Sequence, residues 1–114
     1  MLTRRESGTL IGAAFLCLTT VRSGMAQHTA HEHHINIDGF AFEPQMLEVA
    51  VGDTVTWHNH DLAPHTATSE NGTWDSDALT NDASFTLTFS EPGQFRYFCA
   101  FHPNMTGEVI ATEA

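Results

Sequence analysis

The chain of 114 residues contains no lysine, and its four arginines face 14 acidic residues, giving a formal charge of −10. A nucleic-acid binder needs a basic face to neutralise phosphates, so that class is excluded. Without lysine there is neither Schiff-base chemistry nor a P-loop lysine. Cysteine is scarce: only Cys17 and Cys99 are present. The apolar run Leu10 to Leu18 falls short of the about 20 residues that a spanning helix needs, so stable membrane insertion is not expected. Internal repeats and heptads are lacking as well.

What is present begins with that short run. Arg4 and Arg5 precede it, and the small residues Gly24 and Ala26 follow it. A positive segment, a short apolar segment and small residues form the pattern of a secretory signal peptide cleaved after Ala26. An uncleaved anchor or a buried N-terminal helix is the alternative, and the length of the run argues against it. Thr3-Arg4-Arg5 hints at twin-Arg export, but Glu6-Ser7-Gly8 fits that signal poorly, so the route stays open. The expected organisation is a signal peptide over 1–26, a His-rich flexible tail over 27–33 and one domain over 34–114, with the mature protein in the periplasm. Residues 27–114 hold thirteen acids against Arg96 alone, a formal charge of −12. Cys17 leaves with the signal, and Cys99 cannot form an internal disulfide. Small exported domains often use disulfides to support a modest core. Metal ligation would supply support and protect the lone thiol.

From residue 34 the pattern has period two. Ile35 and Ile37 alternate with Asn36 and Asp38. The phase then flips to Phe40 and Phe42, which suggests a bulge at Gly39. Leu47, Val49 and Val51 alternate, then Val55 and Trp57, then Phe85, Leu87 and Phe89. Phe95, Tyr97 and Cys99 share one face, and a last strand runs from Gly107 to Thr112. Many short strands separated by turn signals read as an all-β sandwich or barrel. The polar segment from Asp61 to Asp82 is expected to hold one short strand and a surface excursion through Trp74. Such long structured loops are often functional.

Cys99, His102 and Met105 are spaced C-x2-H-x2-M. A thiolate, an imidazole and a thioether form a soft donor set that suits copper better than magnesium or calcium. A type-1 copper centre takes two His and one Cys with a weak axial Met. Pro64-His65-Thr66 offers the best candidate for the second His. Zinc can take the thiolate and imidazoles, but a thioether is not among its usual ligands. A Cys/His nucleophile pair lacks an activation context and an identifiable oxyanion hole.

These segments resemble the cupredoxins, the small blue copper proteins, and are most similar to the plastocyanin/amicyanin group. The matching stretches are Val51 to Trp57, Pro64-His65-Thr66, Trp74-Asp75-Ser76, Phe89 to Cys99, and Cys99 to Val109. The short C-x2-H-x2-M spacing is similar to that of amicyanin. The resemblance implies an all-β, Greek-key β-sandwich of about 7–8 strands. It implies one type-1 copper per chain, with His65 and His102 as imidazole ligands, Cys99 as the thiolate and Met105 as the axial ligand. Many family members carry Asn after the first His ligand, tying the two ligand segments together. Here Thr66 stands there, with a hydroxyl for a weaker link and a backbone N–H for the sulfur. By resemblance, Phe101, Pro103 and Pro64 form an apolar rim around His102, where electrons would pass.

The expected function is therefore a periplasmic carrier of single electrons, not an enzyme, and a monomer. Its expected partner is a redox protein such as a c-type cytochrome or a periplasmic oxidoreductase, drawn to the acidic surface. The alternative is copper delivery, buffering or resistance, favoured by His28, His31, His33 and His34. That cluster is either a solvated tail or a weak second metal site. His58 reads as solvent-exposed on the polar face of its strand and His60 as surface. Trp57 and Trp74 read as packing residues.

Overall fold

The computed structural model describes residues 29–114. The expected signal peptide over 1–26, with Cys17, and His28 of the expected tail lie outside the described residues. Among the described residues there are eight strands and no helix. They are β1 (Glu32–Ile37), β2 (Phe42–Glu43), β3 (Met46–Ala50), β4 (Thr54–Asn59), β5 (Thr68–Ser69), β6 (Ser84–Thr88), β7 (Gly93–Cys99) and β8 (His102–Thr112).

The strands form two four-stranded sheets, ordered β2-β1-β4-β6 and β3-β8-β7-β5. Sequence neighbours β3 and β4 lie in different sheets, as do β4 and β5, so the chain crosses repeatedly between layers. The pairs β1–β4 and β3–β8 are parallel and the others antiparallel. Alternation turns one set of side chains from each sheet inward. Ile35, Ile37, Val55 and Trp57 from one sheet meet Val49, Tyr97, Cys99, Val109 and Ala111 from the other in one buried cluster. The expected all-β sandwich is the architecture observed. Trp57 is fully buried, and the half-buried Trp74 packs on Trp57, Phe89, Phe95 and Tyr97.

Three local expectations need revision. The phase flip at Gly39 is a hairpin turn and not a bulge. Asp38 and Ala41 exchange backbone hydrogen bonds, and Gly39 and Phe40 both have positive φ, 61° and 59°. Two central residues at positive φ match the twist of the flanking strands. Phe40 is consequently half exposed, outside the core that takes Phe42. The last strand starts at His102 rather than Gly107, because β7 and β8 are joined by Ala100 and Phe101 alone. Glu32 and His33, expected in the flexible tail, belong to β1, paired with Thr54 and Val55. His33 is also bonded to Asp53 at 2.9 Å through Nε2.

Gly107 shows how tightly the sandwich closes. A Cβ there would run into the Tyr97 hydroxyl and ring. Burial pushes the Tyr97 hydroxyl well above its ordinary pKa. The Trp57 indole N–H acts against that shift, though it does not reach hydrogen-bond geometry with the Tyr97 oxygen.

Candidate metal centre

The site is built where β4, the segment after it, and the β7–β8 hairpin converge. Asn59 ends β4 and is fully buried. Its Nδ2 donates to the carbonyls of Ala63 at 2.9 Å and Leu79 at 2.8 Å. Its Oδ1 accepts the Asp61 N–H at 2.9 Å. One side chain therefore shapes the turn that leads to His65. The backbone of His65 then bridges to Leu79, with N–H···O distances of 3.1 and 2.7 Å in the two directions.

The His65 ring is fully buried. Nε2 lies 2.8 Å from Asp61 Oδ2. In the neutral ring this carboxylate takes the Nε2–H bond and leaves the Nδ1 lone pair free, a common arrangement behind metal-bound histidines. Asp61 is anchored in turn by the N–H groups of Gly39 at 2.8 Å and Phe40 at 2.9 Å. Burial raises the Asp61 pKa, but the bonds from Phe40, Gly39 and His65 outweigh it and hold the carboxyl below its ordinary value.

Nδ1 of His65 faces Cys99 Sγ at 3.6 Å. Cys99 ends β7, is fully buried, and accepts the Thr66 N–H at 3.4 Å. His102 opens β8 and is partly exposed, its ring centroid 5.4 Å from that of His65. Phe40 packs edge-on against both rings, at 4.9 and 5.0 Å. Met105 is buried in the cluster that holds Cys99. Thus the four candidates from the sequence, His65, Cys99, His102 and Met105, lie on the two segments that meet here. Phe101 is half exposed beside His102.

The facing pair of donors, His65 Nδ1 and Cys99 Sγ, fits a soft metal ion. Metal–thiolate and metal–imidazole bonds run about 2.3 and 2.0 Å, taking zinc values, so donors 3.6 Å apart can meet on one ion. The thiolate, imidazole and thioether types favour copper among first-row ions.

A β-sandwich carrying this soft donor set at one end defines a class of small metalloproteins. The cupredoxin-like domain family model matches residues 9–111, and the chain belongs to that family. The amicyanin of Paracoccus denitrificans is 36% identical over 81 residues, covering 67% of this chain and 62% of its own length. A chloroplastic plastocyanin of Tetradesmus obliquus is 33% identical over 82 residues, covering 60% of this chain and 57% of its own. A Cu(I) structure of a methionine-to-glutamine variant of amicyanin superposes with a TM-score of 0.68 at 30% identity, covering 71% of this chain and 82% of that chain. The chain spans about three fifths of the length of the first curated relatives it matches. Copper is the cofactor of this family, one ion per domain, and the chain carries His, Cys and Met donors to match.

Three residues that shape the site were not singled out by sequence reasoning: Asn59, Asp61 and Phe40. Asp61 stands four residues before His65, a spacing that places a carboxylate near an imidazole across a tight turn. Phe40 was legible only as a break in strand phase.

Proposed function

We propose that the protein is a carrier of single electrons that holds one copper ion through His65, Cys99, His102 and Met105. The observation that carries this reading is the facing pair of His65 Nδ1 and Cys99 Sγ, 3.6 Å apart and each held by the protein. Bound copper supplies the Cu(I)/Cu(II) couple. The chain supplies a frame that changes little between the two states, since β7, β8 and the Asn59-braced turn hold the donors. His102 is the edge of the site nearest solvent and serves as the port for electrons. Phe40 and Phe101, both half exposed, offer an apolar surface at that edge. Cys99 and His65 are both fully buried, out of reach of a substrate, so the protein works with redox partners and not as an enzyme.

The expected setting is the periplasm, with residues 1–26 acting as a cleaved export signal and the mature chain monomeric. The formal charge of −12 over 27–114 favours a basic partner such as a c-type cytochrome or a periplasmic oxidoreductase. Donors held this firmly suit retention of the metal better than the delivery or buffering reading, which needs release. Copper titration with visible and EPR spectra tests the proposal. One equivalent should give an intense blue band with narrow hyperfine splitting, lost in Cys99→Ser. Absence of that band in the parent protein would rule it out.

A further inference from the structure

A second group of metal-ligating side chains lies on the outer face of the β2-β1-β4-β6 sheet. Alternation along β4 buries Val55, Trp57 and Asn59 and leaves Thr56 and His58 facing outward. His60 follows two residues later, and the His58 and His60 rings stack with centroids 4.4 Å apart. The antiparallel pairing of β4 and β6 sets His58 opposite Ser84, so the turn entering β6 brings Asp82 alongside. That turn is fixed by backbone bonds: Asp82 N–H donates to the Asn59 carbonyl at 2.7 Å, and Asn59 N–H donates to the Ala83 carbonyl at 3.0 Å. Asp82 is thus anchored on the residue that separates the two histidines. Its Oδ1 lies 3.6 Å from His58 Nε2. One donor atom from each of the three residues lies within 4.8 Å of the others, and this is the one such group found among the described residues.

We infer that His58, His60 and Asp82 form a second metal site, separate from the copper centre, that takes a divalent borderline cation of the zinc type. Two imidazoles and a carboxylate with one position open to water are a zinc-binding set. No sulfur is present to select Cu(I). Donors on one ion lie at most about 4 Å apart, so the triangle must tighten slightly. Asp82 can do this, because its side chain is 76% exposed and swings freely on a fixed backbone. His60 is already oriented: its Nε2 is bonded to Asn36 Oδ1 at 3.0 Å, which leaves Nδ1 as the free donor of the neutral ring. The acidic surface draws cations toward the site.

The test is calorimetric titration of zinc chloride into the full mature protein loaded with copper. Histidine ring resonances followed by NMR in the Cu(I) state identify the ligands. One zinc per chain should bind, with His58 and His60 ring signals moving together. His60→Gln and Asp82→Asn should each weaken binding at least about tenfold. Both positions are exposed, and Asn tolerates the positive φ of 68° at residue 82, so folding is preserved. Two controls separate other sources. Cys99→Ser should leave this zinc in place, whether or not the copper reading holds. His28→Gln with His31→Gln should also leave it. The inference is overturned if no zinc binds, if binding survives the His60 and Asp82 changes, or if it disappears with the Cys99 or the tail changes.

Discussion

The Thr66 hydroxyl accepts the Ala100 N–H at 2.7 Å, and so joins the segment carrying His65 to the one carrying Cys99. The Thr66 N–H simultaneously reaches Cys99 Sγ at 3.4 Å. One nearly buried residue therefore sets both the spacing of the two segments and the environment of the sulfur. Thr66→Val keeps the shape and the N–H but removes the acceptor. Leaving the Ala100 N–H without its partner should cost about 1–3 kcal/mol. Thr66→Ser should recover most of it. Urea unfolding of the metal-free protein measures this, and an unchanged midpoint in Thr66→Val would show that water replaces the bond.

Asn59 carries a larger share of the architecture. Its amide closes three bonds, to Ala63, Leu79 and Asp61, with no exposure to solvent. Asn59→Leu approximates its volume and strands these groups, so stability should fall by about 3 kcal/mol or more. Hydrogen exchange should locate the loosening at residues 61–65 while β7 and β8 stay protected. Uniform loss of protection across both sheets would instead mean that Asn59 supports the whole core.

Much of this arrangement was legible from side-chain type alone. Period-two alternation around Ile35, Val55, Phe85 and Tyr97 identified the strands, because burial on one face imposes that spacing. Cys99, His102 and Met105 were legible because their donor chemistry is rare at such spacing. The link from Thr66 to the Cys99 segment was implied by the family resemblance, through the Asn that many members carry at this position. Other features depend on distances that a sequence does not carry. Phe40 counts as a core residue by hydrophobicity, yet the paired positive φ values at Gly39 and Phe40 turn it out onto His65 and His102. His33 counts as tail by composition, yet Asp53, twenty residues away, draws it into β1. Asp82 joins His58 only through the register of β4 with β6.

Tyr97 and Gly107 make a paired prediction about packing. The Tyr97 hydroxyl is buried without a partner, so the folded state bears its desolvation cost. Tyr97→Phe should leave stability unchanged or raise it by about 1 kcal/mol. Gly107→Ala should have the opposite effect, because the added methyl meets the ring as well as the hydroxyl. Overpacking of this kind typically costs about 1–3 kcal/mol. In the double variant Tyr97→Phe with Gly107→Ala, removal of the hydroxyl should relieve part of that loss. Thermal unfolding of the four proteins gives the coupling directly, and strict additivity would show that the two sites do not touch.

Asp61 and His65 supply the most specific prediction about the metal centre. Asp61 Oδ1 accepts from Gly39, and Oδ2 accepts from both Phe40 and His65 Nε2. An asparagine has one carbonyl oxygen, so Asp61→Asn must aim its NH₂ at one of these donor groups. If the NH₂ faces Nε2, the neutral ring relieves the clash by moving its proton to Nδ1. That proton would then occupy the lone pair facing Cys99 Sγ. Outer groups that orient a ligand typically contribute 10–100-fold to metal affinity, and copper binding should weaken by about that factor. Chelator competition measures the affinity, and ring ¹⁵N shifts of the metal-free protein report the tautomer. A weaker site with the proton still on Nε2 would trace the loss to the turn at Gly39 and Phe40 rather than to the ring. Unchanged affinity and an unchanged tautomer together would show that Asp61 does not orient His65 at all.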